Sequence, residues 1–393
     1  MATSSNDDYG SGGLRLGMVQ FAFTLGWTTY ALMLPTLLAQ AGIAPSWLPA
    51  VLMADQAIFA LMDIGFGAIA DRMKNVFRSL ARLLLVLTTL SALAFLLLPL
   101  VAGVSSGLLL ATLLLWVVSA SVVRAPTLIL LAKRAKAQQR QGLVIWYSAG
   151  IGLAMALSPF LGLWLRGADP RWPFVVSALT LLVAVWVLLR ESGFEPPATD
   201  SAEIQPPPFS TCLPLFVVLG VAGLAFQLHA FVNSSPLYQM HAAKEVLPWL
   251  MPTLWVGFFA ALVAMGGMVK RFGAMPVATV GLCVVAVSSY WAPNAASLGG
   301  LVVTQLLCGA GWALAFAGLM EQASAASSRG AEGKVMGSFF AVTALSGIAR
   351  IAIASGVLPD WQNFQFTLPS ALLLLAAAIA AVDSRKWAKI RMR

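Results

Sequence analysis

The chain reads as an all-α integral membrane protein, with twelve transmembrane helices in two pseudo-symmetric halves of six. Three observations predict this. Of its 393 residues, 60% are apolar and only 10% charged, whereas a soluble domain has about 45–50% apolar and about 25% charged residues. The basic residues fall on alternate loops. One short loop sequence recurs at the same place in each half.

The first thirteen residues, "MATSSNDDYGSGG", are polar and carry Asp7 and Asp8. A signal peptide would open with a basic segment followed by an apolar one. Residues 1–13 are therefore expected to form a cytoplasmic tail, and the first apolar run to be a retained helix. A membrane-spanning helix needs about 20 mostly apolar residues. Cutting at charge clusters and at Pro-, Gly- or Ser-rich turns predicts spans at 14–39, 47–70, 80–102, 107–131, 142–165, 173–190, 213–235, 247–269, 274–291, 299–320, 335–357 and 364–383. Between the sixth and seventh lies "ESGFEPPATDSAEIQPPPFSTC", the one long polar and Pro-rich stretch, which reads as a linker over 191–212. It separates a half at 14–190 from a half at 213–384, and residues 385–393 form a basic tail.

Orientation follows from the cations. With the N-terminus inside, nineteen of the 24 Lys and Arg residues fall on inner segments. Only Arg166, Arg171 and Lys244 are outside, and Arg124 and Arg350 are within spans. Cytoplasmic loops carry the basic excess, so both termini are expected to be cytoplasmic. The formal charge of +9 is explained by this bias and does not imply a nucleic-acid partner. Cys212, Cys283 and Cys308 are far apart and form no metal or redox motif.

The repeat joins span 2 to span 3 as "GAIADRMKN" (Gly67 to Asn75) and span 8 to span 9 as "GGMVKRFGA" (Gly266 to Ala274). Gly67 aligns with Gly266, Asp71 with Lys270 and Arg72 with Arg271. Two six-helix halves with matching loops are the parallel-repeat pattern of a transporter. The first copy resembles the loop 2–3 signature of the major facilitator superfamily, roughly G-x-x-x-D-R-x-G-R-[RK]. Gly67, Asp71 and Arg72 match it. Lys74 stands in the usual glycine position, and Asn75 and Val76 replace the basic pair. Together with span count and linker, the resemblance covers nearly the whole chain. It implies that Gly67, Asp71, Arg72, Lys270 and Arg271 belong to a conformational latch and do not contact the substrate. The physical reading agrees, since an acid at the end of span 2 can meet the positive N-terminal end of a neighbouring helix. The plainer account is a basic loop that fixes topology. Other family patterns match in part: Arg124 lacks the glycine four residues on, Gln305 replaces an arginine, and "SPFLGL" in span 5 keeps Pro159 and Gly162 of the antiporter motif.

Charges inside spans are costly and mark candidate functional sites. Four are deep: Asp55, Asp63, Arg124 and Arg350. Gln56, Ala60, Asp63 and Gly67 form one stripe on span 2, and Asp55 lies about 80° round from Asp63 at 100° per residue. Thr343, Ser346, Gly347 and Arg350 form a stripe on span 11. Ser121, Arg124 and Thr127 share one side of span 4, where Pro126 can bend the helix. Such stripes face a cavity or another helix, not lipid. Internal ion pairs are the competing account: Asp63 with Arg124, and Arg350 with Asp55. Gln20, Thr24, Trp27 and Thr28 on span 1, Gln227, His229 and Asn233 on span 7, and Gln305 and Trp312 on span 10 are path-lining candidates, since the resemblance implies that spans 1, 4, 7 and 10 line the path. Trp27 and Trp312 could equally be packing residues. His229 could relay protons or be a hydrogen-bonded structural histidine.

There is no nucleotide-binding loop, metal-ligand cluster or nucleophile elbow, so neither cofactor nor metal is expected, and the chain does not read as an enzyme. The expected function is secondary active transport of a small solute by alternating access, with the proton gradient as driving force and a small organic anion as substrate; ATP-driven transport would need a separate subunit. The alternatives are a proton-antiport exporter of hydrophobic or cationic compounds and a transport-dead receptor. The expected partners are the small-molecule substrate, protons and the lipid bilayer of a bacterial inner membrane, with the monomer as functional unit.

Overall fold

In a computed structural model the described residues are 4–72, 76–124, 137–165, 169, 171–191, 209–326 and 331–391. Residues 192–208 of the linker expected over 191–212, Lys74, Asn75, Pro126, Thr127 and the basic residues Lys133, Arg134 and Lys136 lie outside them; of the linker's ends, Glu191 closes a helix and Phe209–Cys212 forms a 3-10 turn. The described residues are helical, without strands. The main helices are α1 (Ser4–Gln40), α2 (Leu48–Arg72), α3 (Val76–Val101), α4 (Ser106–Ala120), α5 (Ala137–Trp164), α6 (Arg171–Glu191), α7 (Leu213–Gln227), α8 (Thr253–Phe272), α9 (Ala274–Trp291), α10 (Leu298–Ala326), α11 (Glu332–Ala354) and α12 (Leu368–Arg391). Eleven helical segments are long and apolar enough to cross a membrane, and a shorter apolar segment, Leu368–Val382, supplies the twelfth. The protein is a multi-pass integral membrane protein.

Three spans depart from uniform helix. Span 4 ends its α-helix at Ala120, passes through a 3-10 turn at Ser121–Val123 and reaches Arg124, where the described segment stops. Span 7, expected as one helix over 213–235, changes after Gln227 into a π-turn at Leu228–Asn233 and continues as α-helix at Ser234–Gln239. Span 8 opens with a separate short helix, Leu247–Leu250, before α8 begins at Thr253. Local chemistry sets other ends. The Ser105 hydroxyl accepts from the Leu108 N–H at 3.1 Å and caps α4. Gly273, at φ 89°, terminates α8, a conformation that side chains with a Cβ rarely adopt.

Two compact units are present, one of residues 1–154, 161–206 and 327–341, the other of 155–160, 207–326 and 342–393. In the first, α1 packs along α6, α3 along α4 and α6, and α2 against α4. In the second, α7 packs along α12, α9 along α10 and α12, and α8 against α10. The same pairs recur six helices later, which is the structural form of the sequence repeat. The first ten residues of α11, 332–341, belong to the first unit and the remainder to the second.

The core of the first unit is aromatic, with Tyr30 and Phe95 against Trp116 at 4.4 and 5.0 Å and Phe95 against Phe174 at 4.6 Å. In the second, Trp312 lies parallel to Phe226 at 4.1 Å. Large apolar side chains such as Leu61, Val183 and Val263 are exposed, as expected of helices whose outer faces meet hydrocarbon.

Candidate substrate site

The first unit holds a cleft of about 180 Å³, lined by Phe23, Thr24 and Trp27 of α1, Gln56 and Phe59 of α2, and Arg124, smaller than the about 300–1,000 Å³ of pockets that enclose a drug-sized ligand. The 3-10 turn delivers Arg124 to it. Its backbone N–H bonds the Ser121 carbonyl at 3.2 Å, and Gln20 steadies the turn by donating from Nε2 to the Val123 carbonyl at 2.9 Å. The guanidinium lies over the Phe59 ring at 4.9 Å and the Phe340 ring at 5.8 Å. Its Nη2 donates to the Phe340 carbonyl at 3.3 Å and stands 3.4 Å from Asp63 Oδ2. The Arg124 side chain is 14% exposed and that of Asp63 is fully buried. Neither Asp63 oxygen accepts a hydrogen bond among the described residues. A charge-assisted N–H···O bond would be about 2.7–2.9 Å, so this is a loose ion pair.

Asp55, two turns away on α2, has another partner. The Tyr30 hydroxyl donates to its Oδ2 at 2.5 Å, and the same Tyr30 ring packs on Trp116. Of the polar span 1 face, Thr24 and Trp27 line the cleft, Gln20 is spent on the Val123 carbonyl, and Thr28 bonds the Thr24 carbonyl of its own helix at 2.9 Å.

In the second unit, Arg350 donates from Nε to Gln227 Oε1 at 3.2 Å and lies 5.4 Å from the Phe231 ring centre. Gln227 in turn donates to the Thr343 carbonyl at 3.4 Å. Among the described residues no carboxylate lies within ion-pair distance of Arg350. His229 meets Gln305 through Nε2 and Oε1 at 3.3 Å, both residues being buried. Asn233 donates to the Gln365 carbonyl at 2.6 Å. Trp312 is buried in its aromatic stack.

The latch candidates separate. Asp71 Oδ1 accepts from the Gly333 N–H at 2.7 Å and Oδ2 from the Lys334 N–H at 2.8 Å. The acid at the end of α2 thus caps the first turn of α11, where backbone donors lack intrahelical partners. Glycines make the approach close. A Cβ on Gly67 would collide with the Gly333 carbonyl, and one on Gly337 with the Asp63 carbonyl. Arg72 is exposed, as are Lys270 and Arg271 in the last turn of α8, with the Arg271 guanidinium 5.0 Å from the Phe272 ring.

Sequence reasoning missed Phe23, Phe59, Tyr30 and Phe231. The tyrosine carried a signal: there are five in this chain, and a buried phenol needs a hydrogen-bond partner. The phenylalanines carried none, because their role depends on where the two arginines lie.

The chain shares its fold with solved transporters. The human organic anion transporter MFSD10 (TETRAN) has a TM-score of 0.76 at 16% identity, over 95% of this chain and 99% of that one. A bacterial homologue of the iron transporter ferroportin, in an outward-facing state with soaked iron, has a TM-score of 0.74 at 16% identity, over 95% and 99%. No curated protein sequence matches the chain. The family model of the Major Facilitator Superfamily matches residues 16–351. With twelve apolar helices paired in the same order twice, the chain belongs to the Major Facilitator Superfamily, a family of membrane transporters.

Proposed function

We propose that the protein is a secondary active transporter that moves a small organic anion by alternating access, coupled to protons. The observation that carries this reading is the cleft beside Arg124. A permanently charged fork stands among Phe23, Trp27 and Phe59, which suits a ligand with an anionic head and an apolar body. Arginine stays charged when buried and grips carboxylate or sulfonate through two parallel donors. Arg350, which has no acid partner among the described residues, is a second anchor for negative charge. Asp63 and Asp55 are the candidate proton carriers. Asp71, with Gly67 and Arg72, is read as a latch that holds the start of α11 in one conformation of the cycle and releases it in another; Lys270 and Arg271 are its counterparts in the second half of the sequence. The setting is a bacterial inner membrane with both termini cytoplasmic, and the monomer is the working unit.

A second reading, proton-antiport export of hydrophobic or cationic compounds, is favoured by the aromatic lining and by Asp63 beside Arg124. Thermal stabilisation of the purified protein separates the two. Benzenesulfonate should raise the melting temperature and tetraphenylphosphonium should not, with the sulfonate effect lost in Arg124→Gln. Stabilisation by the cation alone would overturn the anion reading.

A further inference from the structure

The Arg124 guanidinium has five N–H donors. Among the described residues only one hydrogen bond is made by them, to the Phe340 carbonyl. The remaining donors have the loose contact with Asp63 and the cleft. Asp63 is in the reverse position. It is buried on every side, takes no hydrogen bond among the described residues, and has Arg124 as its one neutralising contact there. The titratable groups facing it among the described residues are Arg124 and, from α5, the buried Tyr147, which feels the charges of both. From α11 the Gly337 backbone packs close to the Asp63 backbone carbonyl.

We infer that Asp63 and the substrate anion compete for the single guanidinium of Arg124, so that a proton and an anion are loaded together and cross in the same direction. The inference rests on the anion reading above and decides between symport and antiport. When Asp63 is ionised, its charge offsets that of Arg124, and an incoming anion would meet both. When a proton from the loading side forms an O–H bond on the Asp63 carboxyl, the guanidinium charge is uncompensated and the anion takes it. On the far side the anion leaves, Arg124 returns to Asp63, and the proton dissociates there. One negative and one positive charge move together, so transport of a monoanion is electroneutral. Linkage makes the relation reciprocal: if protonation favours the anion, the anion favours protonation by the same factor.

Benzenesulfonate tests this because it remains ionised across the working range, so any pH dependence belongs to the protein. Binding to the purified full-length chain is measured by titration calorimetry in two buffers of different ionisation enthalpy. Expected are a rise in affinity of about tenfold or more from about pH 8 to about pH 5 and uptake of about one proton per sulfonate bound near the upper end. Asp63→Asn should bind tightly at every pH without proton uptake, and Arg124→Gln should bind weakly at every pH. Proton uptake by the unmodified protein decides the matter even if Asp63→Asn does not fold. In liposomes, sulfonate uptake driven by a pH gradient should be unchanged when valinomycin and potassium set the membrane potential. Arg124-dependent binding that is independent of pH and takes up no proton overturns the inference and leaves the anion reading standing. Absence of sulfonate binding at every pH overturns both.

Discussion

Replacing Asp71 by alanine removes the two bonds by which α2 caps α11. The Gly333 and Lys334 amides, now bonded at 2.7 and 2.8 Å, would be left to water. Loss of a capping acceptor costs about 0.5–2 kcal/mol, a range that already includes the favourable meeting of an acid with a helix N-terminus. The contact is at a partly exposed helix end, so the middle to upper part of that range, about 1–2 kcal/mol, is expected. That corresponds to a factor of about 5–30 in the equilibrium between capped and released α11. Hydrogen-exchange mass spectrometry of the purified protein reads it directly. Amides of the first turn of α11 should exchange faster by that factor, while those at the middle of α10 stay unchanged. Asp71→Asn retains an acceptor without the charge and should fall between. Transport should drop in step with the exchange rates, in protein that still melts cooperatively. Unchanged protection at Gly333 and Lys334 in the alanine variant would refute the reasoning, because the carboxylate would then not be holding the helix.

Gly67→Ala should destabilise the protein by about 1–3 kcal/mol, the usual cost of overpacking, because its Cβ would collide with the Gly333 carbonyl. Gly65→Ala, whose Cβ would meet nothing within 4 Å, should melt as the unmodified protein does. Tyr30→Phe keeps the ring against Trp116 but removes the hydrogen bond from the Tyr30 hydroxyl to Asp55 Oδ2. It should cost about 1–3 kcal/mol by thermal melting, and Tyr30→Phe combined with Asp55→Asn should recover part of it. Arg350→Lys keeps the charge and loses the fork, so it should weaken benzenesulfonate binding, read by titration calorimetry, by about 1–3 kcal/mol with little change in melting temperature.

The spans were legible because hydrocarbon imposes a length and loops collect the cations, so Arg72, Lys270 and Arg190 punctuate the chain without reference to tertiary structure. The fold was legible through the repeat. The competing ion-pair account could be stated but not resolved from sequence, since Asp63, Arg124, Asp55 and Arg350 supply two acids and two bases at uncertain depths. The structure divides them unequally: Asp63 with Arg124, Asp55 with Tyr30, Arg350 with Gln227. Tyr30 falls on an apolar stretch of span 1, and its reach to Asp55 depends on how α1 crosses α2, which no periodicity encodes. The irregular spans were illegible for a related reason. Pattern reading assumes 3.6 residues per turn, and the turn at Leu228–Asn233 breaks that assumption; Pro236 follows it and disturbs the carbonyl four residues back, but a proline does not by itself say which kind of turn it produces.

That turn has a consequence for how span 7 is numbered against its surroundings. A π-turn holds one residue more than an α-turn, and one residue is worth about 100° of rotation. The span is two rods on one axis, out of phase with each other. Before the offset, Gln227 answers to Thr343 and Arg350. After it, Asn233 answers to Gln365 and Tyr238 to Thr253. A helical wheel drawn through both pieces would put one of these sets on the wrong side. Deleting a single residue within 228–233 would bring the rods back into phase at almost no change in length, turning every later side chain while leaving every earlier one in place.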